Sequence, residues 1–534
     1  MEIQKEIIEK LLKNPPKDPF QLAEFKRKIS QEYKIPSLKN IELLKAYHKF
    51  LKEKRLKSFD FLEKLLRTRP IRSLSGVVNV TVLTKPYPCP GKCIFCPKEK
   101  GIPKSYLSGE PAVERAKALK YHPYFQVKKR IENLKEQGHL TEKIDLRIVG
   151  GTFSFYPKKY QIWFIGECFK ACNNSKGEIS SLEDLKKQQK KNEKSAHRIV
   201  SLSIETRPDF INIKEAKWLR ELGVTFVELG VQSIYDDVLK LNFRGHSVKE
   251  TILATKILKD AGFKVLYQMM PNLLGSDLKK DEKMFEELFK NPSFQPDYLK
   301  IYPCALLKET PLYEEYLKGN YHPYSDSVLI ELLKKIKQKI PYYVRIQRIV
   351  RDIPSQKIIK GGAKISNLRQ IIKREMEKEK LICKCIRCRE IRENYDPKEK
   401  IFLFRQDYFA SEGKEIFLSF ENKERNKILS FLRLRIPSFF FNRQEKNFYD
   451  YFKVLKGAGI IREVKTFGRE VAIGKKEFSP QHQGLGKKLI KKAEKICKKE
   501  FKLKKIAVIS GVGAREYFRK LGYRLRDTFM IKKL

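Results

Sequence analysis

The sequence predicts an α/β protein in which a partial β/α barrel is followed by a smaller mixed α/β domain, with a helical segment ahead of both. Three observations predict it. From residue 71 to about 380, short apolar runs alternate with polar helical stretches, the pattern of a parallel sheet and its covering helices. Past residue 401 the rhythm changes to closely spaced strands and one helix, so a second core begins there. At 534 residues the chain is also too long for one core, and two or three domains are expected.

Residues 1–70 read as helices: Ile3, Ile7, Ile8, Leu11 and Leu12 recur at helical spacing, Pro15-Pro16 stops the pattern, and further helical runs lead to Arg69-Pro70. The segment carries 18 basic and 10 acidic residues, which suits phosphate contact and equally suits a solvated face. Over the whole chain 114 Lys and Arg stand against 64 Asp and Glu, a formal net charge of +50. That excess goes beyond solubility and favours a polyanionic partner, nucleic acid above all. No apolar stretch approaches the ~20 residues of a membrane helix, and Met1-Glu2-Ile3-Gln4-Lys5-Glu6 is not a secretory signal. A cytoplasmic protein with no membrane partner is expected.

Barrel strands are expected at Val77–Leu83, Ile144–Val149, Ile199–Ile204, Phe226–Leu229, Lys264–Tyr267 and Leu299–Tyr302, six in all, with the hydrophilic Asn173–Ser195 as a surface insertion. Just past the first strand stands Cys89-Pro90-Gly91-Lys92-Cys93-Ile94-Phe95-Cys96. Three thiols so spaced can take three corners of an iron–sulfur cube and leave the fourth iron open to a small-molecule ligand. Structural zinc is the alternative, but it would need a fourth ligand, and the paired CxxC layout of a zinc ribbon is missing. Gly150-Gly151-Thr152, Glu205-Thr206-Arg207-Pro208-Asp209 and Gly230-Val231-Gln232-Ser233 follow successive strands, where a β/α barrel carries its catalytic groups. Paired glycines admit a ligand close to the backbone, and polar side chains there serve hydroxyls or a carboxylate.

A second thiol group, Cys383-Lys384-Cys385-Ile386-Arg387-Cys388, suits a zinc site at a domain junction spanning 381–400, with a redox pair or unbound thiols as alternatives. A tetrahedral site wants a fourth ligand, for which Cys304, past the sixth strand, is the candidate. Cys168 and Cys172, one helical turn apart, read as core residues.

In the C-terminal part Ile416–Phe420, Ile428–Arg435 and Ile460–Val464 read as antiparallel strands. Val471-Ala472-Ile473-Gly474 then precedes Gln481-His482-Gln483-Gly484-Leu485-Gly486, which opens a helix from Lys487 to Lys499 ahead of a strand at Lys505–Ser510. Glycines at such a junction let backbone N–H groups converge on a pyrophosphate at the positive helix end. The segment fits neither the P-loop nor the dinucleotide fingerprint.

The cysteine loop resembles that of the radical S-adenosylmethionine enzymes, and Gln-x-x-Gly-x-Gly before a helix resembles the acetyl-coenzyme A loop of GNAT acyltransferases. Together with Arg69-Pro70-Ile71-Arg72, Gly109-Glu110-Pro111, Arg244-Gly245-His246 and the block from Gly511 to Tyr523, they make residues 70–534 similar to the catalytic subunit of the Elongator complex. The resemblance implies a radical-SAM barrel over 71–380, a zinc junction over 381–400 and a GNAT-like domain over 401–534. It implies a [4Fe-4S] cluster on Cys89, Cys93 and Cys96, and S-adenosylmethionine beside Gly150, Gly151, Thr152, Glu205 and Gln232. Zn2+ would sit on Cys383, Cys385 and Cys388, and acetyl-CoA at Gln481, Gln483, Gly484, Leu485, Gly486 and Lys487. Tyr517 is the candidate proton donor to the departing thiolate, with aromatic packing as its other role.

The activity so implied is carboxymethylation of carbon 5 of uridine 34 in a tRNA anticodon stem-loop. A 5'-deoxyadenosyl radical would take a hydrogen from the acetyl methyl group, and accessory proteins are further candidate partners. The chain departs from the family in its short first cysteine interval, in Pro97-Lys98-Glu99 where glycines are usual, and in Phe518 where a second tyrosine is common. The alternative, a protein lysine acetyltransferase with a structural iron–sulfur domain, leaves the open iron and the polar strand tips without a use.

Overall fold

The computed structural model describes the chain apart from residues 1, 58, 69, 71, 72, 363, 366, 393, 394, 443–445 and 469–482. Ahead of the sheets, helices Glu2–Lys13, Pro19–Glu32, Asn40–Glu53 and Asp60–Leu66 close round their own core of Ile7, Ile8, Leu11, Leu44 and Tyr47. The helical spacing of Ile7, Ile8 and Leu11 therefore marks a buried face, while Ile3 stays exposed.

Seven strands follow: β1 Val77–Leu83, β2 Lys143–Val149, β3 Arg198–Thr206, β4 Phe226–Gln232, β5 Lys264–Met269, β6 Tyr298–Ile301 and β7 Arg345–Ile349. They lie side by side in chain order, all parallel. Alternate residues such as Val78, Val80, Val82, Ile144, Leu146 and Ile148 pack into the main core beneath the covering helices. The other set faces the hollow of the half-barrel and is largely polar, as in Asp145, Arg147, Ser203, Glu205, Glu228, Gln268 and Lys300.

One sequence expectation is corrected here and a second is refined. The sheet has seven strands, not six: Arg345-Ile346-Gln347-Arg348-Ile349 hides its strand character because its hollow-facing positions are polar, yet it pairs with β6 through Lys300 and Arg348. Asn173–Ser195 does lie on the surface, but as a docked helix rather than a loose insertion. Ser181 and Asp184 form a capping box for a helix over Leu182–Asn192 that buries Leu185 and Asn192. The Asn192 carboxamide accepts from Ile199 N at 2.8 Å and donates to His197 O at 3.0 Å, tying off the start of β3. A few apolar anchors, Ile179, Leu182 and Leu185, plus side-chain amides suffice to dock a hydrophilic helix.

The second sheet runs β8 Phe402–Ala410, β9 Gly413–Glu421, β10 Ile428–Ile436, β11 Ala458–Thr466, β12 Lys505–Val508, β13 Arg524–Arg526 and β14 Phe529–Lys533. The spatial order is β8-β9-β10-β11-β12-β14-β13. Strand β8 went unexpected because its side chains are mostly exposed. The one parallel pair, β11 with β12, lasts only from Ala458↔Lys505 to Ile461↔Val508. Beyond it β11 continues to Thr466 while β12 stops, which opens a notch. The expected strand at Val471–Gly474 lies outside the described residues.

The two sheets are joined by charge buried from water. Arg435 Nη2 meets Asp260 at 2.7 Å, and Arg462 bridges Asp297 and Glu415 at 2.5 and 2.8 Å, with the Lys259 side chain fully enclosed between them. Gly511 and Gly513 lie directly on the start of β3: a Cβ there would meet Val200 O at 2.1 Å and Arg198 Cβ at 2.5 Å, so only glycine admits the contact.

Candidate functional site

The loop after β1 brings Cys89, Cys93 and Cys96 to a cavity of about 230 Å3 at the C-terminal mouth of the half-barrel. Strand tips complete its wall, among them Gly151, Thr152, Glu205, Gln232, Gln268 and Lys300. Gly91 sits between the thiols; a Cβ on it would lie 3.5 Å from Cys93 Sγ, 3.7 Å from Cys89 Sγ and 2.5 Å from Arg207 Nη1. Arg244 Nη1 donates to Cys93 Sγ at 3.4 Å, and Arg207 is held by Asp209 at 2.9 and 2.8 Å. Arg207 Nη1 and Arg244 Nε are buried without a protein partner. Spare buried cationic donors around three thiols fit an anionic thiolate-bound cluster. Burial, reinforced by Cys93, pushes the free Cys96 thiol up to about 12, so a cation must take the proton's place for it to ligate.

Away from the thiols, Glu205 accepts from Tyr106 Oη at 3.0 Å, Gln268 Nε2 at 3.1 Å and Lys300 Nζ at 3.4 Å. Lys300 also pairs with the buried Glu228, which holds its ammonium above the usual range against the cost of burial. Burial and Glu205 keep the Tyr106 hydroxyl protonated. Gln232 adopts φ +71°, and its buried Oε1 lacks a protein partner. Gly151 lines the cavity, whereas a Cβ on Gly150 would strike Thr84 Oγ1 at 2.0 Å. Gly150 thus serves the packing of the turn rather than the cavity wall. Sequence reasoning missed Tyr106, Gln268, Lys300 and Arg351 as wall residues; the period-2 polar positions within strands were the available signal for Gln268 and Lys300.

A second cavity, of about 890 Å3, opens at the opposite, N-terminal mouth of the same strands. Its walls are strand starts, including Asp145, Ser201, Phe226 and Tyr298, together with the notch of β11 and Gly484, Gly486, Lys487 and Tyr517. Gly484 takes φ +67° as it caps the helix Leu485–Lys499, with no atom within 4 Å of where a Cβ would stand. The Tyr517 hydroxyl lies 3.5 Å from the Cβ position of Gly486, and burial raises its pKa, so it stays a proton donor. Leu485 points into the core, leaving its backbone for a ligand, and the exposed Gln483 amide bonds Tyr395. Gln481 lies outside the described residues. Lys465, on the β11 wall, is brought down to about 8 by burial and by Arg345.

Cys383, Cys385 and Cys388 offer sulfur atoms all within 4.8 Å of one another, close enough to share one ion. Hydrogen bonds from Cys383 and Cys388 hold the Cys385 thiol well below its usual value. The motif is stitched to both sheets: Ile386 N donates to Val344 O at 2.9 Å, and Arg389 pairs with Glu421 at 2.8 Å. Cys304 does not join it. It is buried with Ile94, Val238, Leu273 and Tyr321 beneath the cluster loop, just past the end of β6.

A radical SAM superfamily model matches residues 87–288, and a radical SAM C-terminal domain model matches residues 296–378. A tRNA uridine(34) acetyltransferase of Methanocaldococcus infernus is 46% identical, covering 88% of this chain and 88% of its own. The human Elongator complex protein 3 is 37% identical over 88% of this chain and 86% of its own. This chain belongs to that family. The solved archaeal Elp3 of Methanocaldococcus infernus with an N-terminus deletion superposes at a TM-score of 0.73, with 42% identity over 86% of this chain and 100% of that one. Membership of the radical SAM superfamily implies a [4Fe-4S] cluster and S-adenosylmethionine, and the thiol triad with its two guanidinium groups is the part of this chain that fits them. No helix among the described residues is long and apolar enough to cross a membrane.

Proposed function

We propose that the protein modifies wobble uridine 34 of tRNA by placing a carboxymethyl group on carbon 5, with acetyl-CoA as the carbon source. The observation that carries this reading is the placement of a thiol-triad cavity and an acyl-coenzyme A-like loop at the two mouths of one half-barrel. Cys89, Cys93 and Cys96 would hold the cluster, which when bound would supply one-electron reductive cleavage of S-adenosylmethionine for hydrogen abstraction from the acetyl methyl group.

The chain's own groups divide the remaining work. Cys89, Cys93 and Cys96 hold the cluster, Arg207 and Arg244 neutralise it, and Thr152, Glu205 and Gln232 offer polar contacts to the cofactor. Gly484 and Gly486 bring backbone N–H groups to the coenzyme A pyrophosphate, with Lys487 adding charge. Tyr517 donates a proton to the departing thiolate, and neutral Lys465 activates the water that ends the thioester. Cys383, Cys385 and Cys388 hold a structural zinc ion between the sheets. On this reading residues 1–70 contact the tRNA, 71–380 form the radical domain, 381–400 the zinc junction and 401–534 the acetyl-CoA domain. The net charge of +50 attracts the tRNA, whose anticodon base is splayed into the upper cavity.

The test is to give anaerobically reconstituted protein unmodified tRNA, S-adenosylmethionine and methyl-deuterated acetyl-CoA, then analyse both nucleosides by mass spectrometry. Deuterium should appear in 5'-deoxyadenosine and the acetyl carbons in the uridine, both lost in Cys96→Ser. Modified uridine with no label in the cleaved cofactor would defeat the abstraction step. Acetyl-lysine formed equally well by Cys96→Ser would favour the acetyltransferase alternative.

A further inference from the structure

The two cavities belong to one hollow. Along β3 the hollow-facing residues are Ser201, Ser203 and Glu205; Ser201 lines the lower cavity and Glu205 the upper. Along β4 they are Phe226, Glu228 and Gly230, again lower, middle and upper. Thr81 of the upper cavity is the register partner of Arg147 of the lower, and Arg147 in turn pairs with Ser203. Gln347 lines the lower cavity and its chain neighbour Arg348 the upper. On β1 to β3 and on β7 the two cavities therefore approach within one or two residues of each other.

What fills that waist is more polar than the interior of an ordinary barrel, which is packed by layers of bulky branched side chains. Here the waist carries Thr81, Arg147, Ser203, Glu228, Lys300 and Gln347, with Phe226, Leu266 and Tyr298 packed together as an apolar cluster beside them on β4 to β6. The long members are bound in pairs: Arg147 to Asp145 at 2.7 Å, Lys300 to Glu228. The Gln347 amide, with its oxygen toward the guanidinium, stands 3.0 Å from Arg147 Nη1 and Nη2. Ser203 is the smallest of these polar side chains and is 1% exposed. Such side chains can swing apart about their own torsions without moving a strand. The lower approach is also aimed at the waist, because the β11–β12 notch and the strand starts line the same cavity.

We propose that the waist of the half-barrel is a passage, and that the acetyl end of the coenzyme A thioester enters it from the lower cavity and passes Ser203 to reach the upper one. This rests on the reading of the Gly484–Gly486 loop as an acyl-coenzyme A site. A small polar acetyl thioester suits the waist, since its carbonyl can replace the Gln347 oxygen as an acceptor for Arg147.

The experiment uses full-length Ser203→Cys, a one-atom change, treated with bromoacetyl-CoA. The thiolate displaces bromide from the methylene carbon, so a C–S bond replaces the C–Br bond and the thiol proton goes to buffer. Mass spectrometry of the peptide carrying residue 203 reads the outcome without a loaded cluster. Alkylation should saturate with reagent, proceed at least tenfold faster than with bromoacetamide, and be suppressed by acetyl-CoA. A reagent that competes with acetyl-CoA in calorimetry yet leaves residue 203 unlabelled overturns the passage. A reagent that does not compete at all overturns the acyl-coenzyme A reading instead. In the loaded enzyme Ser203→Phe should retain acetyl-CoA affinity and cofactor cleavage while losing modified uridine more than tenfold; undiminished product overturns the passage by a second route.

Discussion

Replacing Asp297 with Asn tests what holds the two active ends in register. The Asp297 side chain is fully buried and accepts from Arg462 at 2.7 and 2.5 Å and from Val265 N at 2.9 Å. Lys259 Nζ and Arg433 Nη1 stand 3.6 Å away. The variant keeps the shape but leaves three cations facing one anion fewer, and it turns an amide N–H toward a guanidinium. Breaking a buried pair on one side costs ~3–5 kcal/mol, a large share of the ~5–15 kcal/mol that holds a typical fold. Because Asp297 lies in the first sheet's half and Arg462 in the second, the loss falls on the joint.

Calorimetry should show one cooperative transition for the wild type and two for Asp297→Asn, the earlier one belonging to the uncoupled half. The pH dependence has a definite sign. The cations hold the Asp297 carboxyl below its ordinary value of 3.8, so its contribution is complete above that pH and drains away as pH falls below it. The wild type should therefore approach the variant's two-step profile only in acid. A single transition in Asp297→Asn, displaced by less than ~1 kcal/mol at neutral pH, would refute the reasoning, since a buried anion facing three cations cannot be so nearly idle.

Three further outcomes are expected. Gly484→Glu forces a side chain onto φ +67° and sets a carboxylate where a pyrophosphate would lie, so acetyl-CoA affinity by calorimetry should fall tenfold or more. Metal analysis should find one zinc per chain, lost when Cys383, Cys385 and Cys388 are all made serine, with weakened joining of the sheets and an intact upper-cavity cluster. Thioester hydrolysis should rise as pH passes about 8, where Lys465 gives up its proton; Lys465→Met should flatten that limb, while Tyr517→Phe should lower the rate ~10²-fold or more at every pH with little change in affinity.

Much of this was legible before any coordinates. The strands β1 to β6 declare themselves because each buries a β-branched or aliphatic face under helices, as Val78-Val80-Val82 does in β1. The cysteine loop and the glycine loop are local patterns, and local patterns survive folding. What escaped depends on partners distant in sequence. Cys304 looked like a spare thiol for zinc until the turn after β6 carried it beneath the cluster loop, and the role of Gly511 and Gly513 needed β3 to lie against them.

The strand that went unrecognised makes a more general point. Arg345-Ile346-Gln347-Arg348-Ile349 fails as a strand pattern because its inner face is polar, and polar inner faces are what ordinary barrels avoid. The same conflict recurs in Asp145 and Arg147 of β2, Glu228 of β4 and Lys300 of β6, all charged and all within the hollow. Burying these groups costs several kcal/mol per ion before pairing offsets it, so a barrel selected for stability alone would have filled the positions with valine and isoleucine. Local rules broken on four different strands, with the breaches converging on the space between two cavities, are the pattern expected of a functional region. Had they been scattered over the sheet, each would be a separate tolerated defect. Lined up along one hollow, they are what the proposed passage between the two cavities would use as its polar wall.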